Sequence, residues 1–475
     1  MKQICSITIA FMLCGSVIAQ TPAKERIPLK YGAQYTGKRT DSAMAKWRYN
    51  RFGQFLHWGL YSIPGGVWNG KTYAYAAEFL KSSAHIPSST WDSLMYQFNP
   101  VKFDAKAWAK MDKTMGVKYI TISTKHHEGF CMWPSKYTDF SIANSPFKRD
   151  LLKEIVDAYT AEGIDVNLYY SVLDWHNPDW RYDIKNTSDS IAFARYLEFA
   201  KNQLTELAQR YPQVKGFWFD GTWDESVKKN GKWTLDVELM LKQLIPGVII
   251  NSRLRADDYG KRHRDSNGEI MGDYESGYER KLPSPYDTLV TKTDWEACMT
   301  IPENQWGYHK DWSLSHVKSS NEILENIIRA VALSGNMLVN FGPKADGTFR
   351  EEELVRAKEI GEWMKVNSDA VYGGGYAGLE RQDWGYYTKS SVTGKVYMVV
   401  FNVPVNYSLL LKLPANTKIE SASMLGSREQ YTPEEIAANQ YFIHLKEKGY
   451  NKPFVIELTL KQEKKSDNKY KAPKT

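Results

Sequence analysis

Three short stretches bring together side chains that could do chemistry on a polar substrate. In GFWFDGTW, residues 216–223, the carboxylate of Asp220 follows an apolar run and precedes a glycine. Asp-Gly ends many strands as a plain turn, so this aspartate gains meaning only from its company. KHHEGF places His126 and His127 side by side, FGQFLHW ends in His57 and Trp58, and DVNLYYS ends in the paired Tyr169 and Tyr170. A neutral imidazole donates and accepts at once, and aromatic rings with polar edges pack on sugar faces. A polyol is the natural guest for such a set, with Asp220 as a carboxylate that a strand would deliver to it. The His-His-Glu run could also bind a metal. Neither HExxH spacing nor a cysteine ligand pattern accompanies it, so no metal and no cofactor are expected.

These residues need elements that deliver them to one place. Apolar segments at 52–58, 118–123, 165–171, 216–220, 247–251, 269–274, 294–299 and 336–341 read as strands. Between many of them lie patterns with apolar residues every three or four positions, such as DLLKEIVDAYTAEG and NEILENIIRAVALSG, opening on Asp or Asn and closing on Gly. The alternation predicts an α/β fold, a (β/α)8-like barrel of the TIM type whose chemistry sits at the C-terminal ends of the strands. The sixth and seventh units are irregular, with no helix pattern between residues 273 and 295. Because strand side chains alternate, Trp218 and Asp220 share one face. From about residue 376 to 462 short alternating strands such as KVYMVVFNV and PFVIELTL predict a C-terminal β-sandwich, so the barrel spans 20–375.

The bulk properties narrow the partners. A net charge of +7 is spread among 62 basic and 55 acidic residues rather than gathered on one stripe, which argues against nucleic acid. The lysine-rich end, 463–475, reads as a disordered tail. GKRHRDSNG, 260–268, is the other basic cluster. Residues 1–19 form a lysine-led apolar run with a small-residue end, the pattern of a cleaved export signal. No other segment is long and apolar enough to span a membrane, so a periplasmic or extracellular protein is expected. Cys5 and Cys14 leave with that signal, and Cys131 and Cys298 read as free thiols.

RFGQFLHWGLYSIPGG, KYITISTKHHEGFCMWPSKYTDFSI, LYYSVLDWHNPDW, GFWFDG, WEACMTIPENQWGY and the long run from GNMLVNFGPKADG to NSDAVYG occur in order between residues 49 and 373. Together they resemble the α-L-fucosidase family of retaining glycoside hydrolases. The resemblance implies an exo-acting enzyme that removes terminal α-linked L-fucose from a fucosylated oligosaccharide or glycoconjugate. Asp220 matches the family's nucleophile, Trp218 the ring beside it, and His57, His126, His127 and Tyr169 the groups that hold sugar hydroxyls. Trp58 and Glu78 join the substrate-binding set, although Phe79 stands where the family has tryptophan after that glutamate.

The acid/base is less direct. GDYESGYERKLP matches the family's segment when one residue is inserted, which points to Glu279; Glu275 is the runner-up and Glu296 the third choice. Retention needs the two carboxyls about 5–5.5 Å apart. Lys261, Arg262 and Arg264 could favour an anionic acceptor, the alternative being a solvated loop. Two rival readings remain: a β-D-galactosidase, since that sugar shares the hydroxyl pattern, and a carbohydrate-binding protein on a catalytically impaired barrel.

Overall fold

Short strands rich in apolar and aromatic residues favour burial on both faces, and such strands form most of the wall of the fold. In the computed structural model these strands are β1 (Phe52–Leu56), β2 (Tyr119–Lys125), β3 (Asp165–Ser171), β4 (Gly216–Asp220), β5 (Ile249–Ile250), β6 (Glu275–Glu279), β7 (Trp295–Thr300) and β8 (Asn336–Phe341). They form one curled parallel sheet in the order β6-β7-β8-β1-β2-β3-β4-β5. The structure describes residues 39–462 apart from Asp258, Ser266, Asn267 and Lys448, together with a short strand pair, Arg26–Pro28 and Gln34–Thr36. The expected export signal and basic tail lie outside the described residues.

The first and last strands in that order meet across a seam. There a single bridge joins Asn251 to Tyr274, flanked by Asp273 N donating to Ile250 O at 2.8 Å and Ser252 N to Tyr274 O at 3.0 Å. The Asp273 carboxylate braces the seam, accepting from Ile250 N at 2.9 Å and pairing with Arg39 and Lys242. The sixth strand therefore runs from 275 to 279, later than the 269–274 predicted. Gly272, at φ 88°, explains the shift. A Cβ there would sit 2.9 Å from Asn251 O, so the chain turns tightly against β5 before it enters the sheet. A single 3-10 turn, Thr288–Lys292, stands where a crossover helix would precede β7.

The longer helices are α1 (Ser42–Asn50), ahead of the first strand, the crossovers α2 (Ala105–Met115), α3 (Leu151–Ala161), α4 (Thr187–Arg210), α5 (Gly231–Leu244) and α6 (Ser320–Ala332), and α7 (Glu351–Asn367), after the last. Asp104 opens α2, Asp150 opens α3 and Asn186 opens α4, each accepting from orphan N–H groups of the first turn. The helix over NEILENIIRAVA starts one residue ahead of its Asn, because Ser319 and Glu322 form a reciprocal capping box.

Beyond α7 come β9 (Gly385–Lys389), β10 (Val396–Val400), β11 (Ser408–Lys412), β12 (Thr417–Met424), β13 (Glu434–Ala437), β14 (Gln440–His444) and β15 (Phe454–Gln462). Two antiparallel sheets, β9-β10-β15-β12 and β11-β14-β13, close over a core that includes Met398, Leu409, Leu411, Ile443, Ile456 and Leu458. Trp363 on α7 donates to Pro453 O at 2.8 Å and Tyr386 on β9 to Glu325 at 3.2 Å, tying sandwich to barrel. Cys131 and Cys298 are buried free thiols. Among the described residues no helix is long and apolar enough to cross a membrane.

Several carboxyls are sealed inside this frame. Glu128 accepts from Leu60 N at 2.8 Å and Trp91 Nε1 at 2.9 Å, which fixes the loop carrying His126 and His127. Glu353 accepts from Gly342 N, and Asp112 accepts from Tyr159 at 2.7 Å. Burial raises Glu128 and Glu353 to about 7 and Asp112 to about 8. Asp174 moves the other way: burial works against it, yet Lys125 at 2.9 Å holds it below the usual carboxylate range. The raised groups keep protons in the folded chain that the unfolded chain has lost, so their contribution to stability declines as pH climbs from about 4 through their folded values. Melting temperature measured by differential scanning fluorimetry should therefore fall between pH 7 and 8.5, where histidines are neutral folded or unfolded, and Asp112→Asn should flatten that fall. An unchanged profile in that variant would contradict the assignment.

Candidate active site

Successive strands hand their C-terminal residues to one mouth. The chain just past β1 supplies His57, whose Nδ1 lies 2.6 Å from Asn340 Oδ1 on β8. After β2 come His126, stacked 5.3 Å from Tyr169 at an interplanar angle of 7°, and His127, whose Nδ1 lies 2.7 Å from Ser171 Oγ. Tyr169 on β3 donates its phenol to Asp220 Oδ2 at 3.1 Å. From β4 come Trp218 and Asp220, on one face as alternation requires. Trp218 donates Nε1 to Glu296 at 3.0 Å, and Glu296 also accepts from Tyr119 at 2.7 Å.

Past the two-residue β5 the chain enters a 3-10 turn, Ser252–Leu254, that presents Arg253. Its Nη1 donates to Asp220 Oδ1 at 3.0 Å and its Nη2 to Glu279 Oε2 at 2.8 Å, while Nε donates to Ser276 O at 3.1 Å. The guanidinium carbon lies 4.6 Å from the centre of the Trp218 ring. Glu279, at the end of β6, faces the same hollow, a cavity of about 290 Å³.

The structure brings His57, Glu78, His126, His127, Tyr169, Trp218, Asp220 and Glu279 together around this cavity. Glu78, on a 3-10 turn, accepts from Gly307 N at 2.9 Å. Trp58 does not belong there. The chain's alternation sends it away from His57 into the core, where its ring centre is 5.0 Å from Trp108 and its Nε1 donates to Lys344 O at 3.1 Å. Glu275 also stands apart: its Oε1 accepts from Gly277 N at 2.9 Å and Ser252 Oγ at 3.2 Å, and Arg264 pairs with it at 3.3 Å. Glu296 lies beneath the indole, outside the cavity lining. In the basic loop Arg262 donates to Thr222 Oγ1 at 2.6 Å and Arg264 to Gly268 O at 2.9 Å, so both cations bind back onto the barrel and their own loop.

Sequence reasoning assigned no role to Arg253, Trp306, Trp223, Arg280 or Asn304, all of which line the cavity. NSR at the end of the fifth strand was a readable signal for Arg253, since it occupies the same strand-end position as Asp220. Trp306, 5.1 Å from His57 between ring centres, comes from a loop after β7 and carries no local signature. Phe79 packs 5.6 Å from Trp175 and 5.3 Å from His127, and Trp223 lies 5.3 Å from His127. An indole, Trp175, thus stands beside Phe79, and a second, Trp223, beside His127.

Burial sets the charge state of the imidazoles. It lowers His57 to about 3 despite the bond to Asn340, lowers His127 to about 4 despite Asp220, and takes His126 well below its ordinary value. All three are neutral near pH 7, as hydroxyl binding wants. Burial would raise Asp220, but Arg253 at bonding distance holds it below the usual range, so it is an anion. Burial lifts Glu78 and Glu296 to about 7. No cluster of three or more metal-ligating side chains occurs among the described residues.

A parallel barrel with two carboxylates, neutral imidazoles and indoles at its C-terminal mouth has the construction of a glycoside hydrolase. The family model described as alpha-L-fucosidase matches residues 18–369. The chain is 60% identical to an alpha-L-fucosidase GH29 from Bacteroides thetaiotaomicron, covering 94% of this chain and 100% of that one at a TM-score of 0.90. A second structure from that organism, 61% identical, with coverage of 92% and 100% and a TM-score of 0.89, is a trapped covalent intermediate with 2-fluoro-fucosyl fluoride in a glutamate-to-glutamine mutant. The tissue alpha-L-fucosidase of Mus musculus is 28% identical over 391 residues, 79% of this chain and 82% of its own. The chain belongs to the α-L-fucosidase family.

Among the described residues Arg253 is the cation that pairs with both carboxylates of the mouth. Lysine keeps the charge but offers no rigid fork, so Arg253→Lys should lower kcat/KM on 4-nitrophenyl α-L-fucoside by about a hundredfold. Its melting temperature should stay within a few degrees of wild type. Near-native turnover in that variant would show that the bridge is not needed.

Proposed function

We propose that the protein is an exo-acting retaining α-L-fucosidase in which Asp220 is the nucleophile and Glu279 the acid/base. The observation that carries this assignment of roles is the single guanidinium of Arg253 holding both carboxylates across one sugar-sized hollow. Two acids that share one fork stand close enough for the separation of about 5–5.5 Å that retention requires. A hollow of about 290 Å³ suits one pyranose rather than an extended chain, which supports exo action.

In the first step an Asp220 oxygen attacks the anomeric carbon, the glycosidic C–O bond breaks, and the departing oxygen takes the proton of Glu279. The product is a fucosyl ester of Asp220. In the second step Glu279, now a carboxylate, takes a proton from water as the water oxygen attacks the same carbon, and Asp220 leaves. Tyr169 and Arg253 fix the plane of the nucleophile through opposite oxygens. The His126 ring lines the hollow beside His57, His127 and Glu78, where these side chains can bond sugar hydroxyls. Glu296 positions the Trp218 indole through its ring N–H. The covalent intermediate of the Bacteroides relative, trapped by replacing a glutamate, supports the same division of labour here. The substrate is a fucosylated oligosaccharide or glycoconjugate, and the apolar run at residues 1–19 supports export through a cleaved leader.

Asp220→Ala should abolish release of 4-nitrophenol from its α-L-fucoside, by at least about four orders of magnitude. Glu279→Gln, given 2-fluoro-fucosyl fluoride, should accumulate a glycosyl adduct that peptide mass spectrometry places on Asp220. Glu275→Gln should retain most turnover. An adduct elsewhere, or loss of activity in the Glu275 variant with full activity in the Glu279 variant, would overturn the roles.

A further inference from the structure

A second hollow, of about 320 Å³, lies between barrel and sandwich. Leu333, just after α6 and ahead of β8, and Thr288, ahead of β7, line it. It therefore sits at the N-terminal ends of the strands, at the end of the barrel opposite the catalytic mouth. Its lip carries two exposed rings, Tyr286 at 67% and Tyr376 at 39% exposure. The Arg381 guanidinium lies 4.9 Å from the centre of the Tyr386 ring and donates to the Tyr286 hydroxyl at 3.2 Å. Its Nε is buried and bonds nothing among the described residues. Tyr387 lines the same hollow, is 4% exposed, and its hydroxyl is buried without a hydrogen-bond partner among the described residues. Glu380 adds a carboxylate.

A buried hydroxyl with no partner costs free energy, and among the described residues this one has none. Rings at the lip, a planar guanidinium, a carboxylate and an unmatched phenol are the groups that stack on the C–H face of a pyranose and bond its hydroxyls. We propose that this hollow is a second, non-catalytic site for a neutral glycan, in which Tyr286 stacks on the sugar ring and the Tyr387 hydroxyl and Arg381 Nε bond its hydroxyl groups. The choice of a glycan rests on the fucosidase reading. Because the two sites lie at opposite ends of the barrel, one short oligosaccharide does not fill both. The second site would instead hold the enzyme on a glycoconjugate bearing many chains, raising the local concentration of fucose ends.

The test uses the full chain saturated with L-fucose, so that the catalytic hollow is occupied. Saturation-transfer NMR with D-galactose, N-acetyl-D-glucosamine, lactose and N-acetyllactosamine should detect binding of at least one sugar, weakened about tenfold by Tyr387→Phe and by Tyr286→Ala. Since the lost hydroxyl has no structural partner, Tyr387→Phe should melt at or above the wild-type temperature. Both variants should turn over 4-nitrophenyl α-L-fucoside at the wild-type rate yet release fucose from mucin several-fold more slowly. Binding by none of the four sugars, binding that survives Tyr387→Phe, or a marked fall in the melting temperature of that variant would overturn the proposal. Failure of wild type to turn over the nitrophenyl fucoside would instead refute the fucosidase reading, and sugar binding would be scored separately.

Discussion

The site depends on one guanidinium shared between two acids. Two carboxylates facing each other in a partly buried hollow repel when both are ionised. Arg253 makes that arrangement tolerable by bonding Asp220 at 3.0 Å and Glu279 at 2.8 Å. Its own position is fixed from three sides: by Ser276 O, by the face of Trp218, and by the turn that follows β5. Trp218 in turn is pinned by Glu296, itself held by Tyr119. The geometry at the mouth is thus inherited from bonds deep in the barrel.

That guanidinium reaches the mouth because the barrel is irregular where it does. β5 has only two residues in the sheet, and its chain leaves at once into a 3-10 turn. β5 and β6 meet through a bridge and a braced Asp273 rather than a full ladder. A longer β5 would keep residue 253 in extended backbone with its side chain committed to one face of the sheet. The loss of ladder hydrogen bonds at the seam frees the backbone to aim Arg253 between the ends of β4 and β6. Irregularity in a barrel is expected where chemistry is placed, since consistency elsewhere carries the fold.

Most of the frame was legible because it rests on local patterns. Long apolar runs such as KYITIS and NMLVNF give strands whatever their neighbours do, and Asp104, Asp150 and Asn186 announce helix starts by chemistry within three residues. The sixth strand escaped because EIMGDY reads as apolar alternation, while its glycine is set by close approach to β5, a contact remote in sequence. Within the site, residues ending long strands, such as His57 and Asp220, were readable from the barrel rule. Trp58 was misplaced by following the sequence neighbour of a site residue instead of the alternation of faces. Trp306, Asn304 and Arg280 come from loops or bends, where position depends on tertiary packing.

The electrostatics of the barrel also explain why so much polarity is buried near its mouth. Neutral imidazoles, protonated glutamates and a hydroxyl network each cost desolvation, and burial is the largest influence on His57, His127, Glu78 and Glu296 alike. Removing water holds the histidines neutral, so that they donate and accept toward a sugar without adding charge that would compete with Arg253 for Asp220. Asp220 goes the other way, held below the usual carboxylate range by a cation at bonding distance. The neutral histidines and the strength of the Asp220–Arg253 pair follow from the same depth of burial, so exposing the mouth to water would weaken both together.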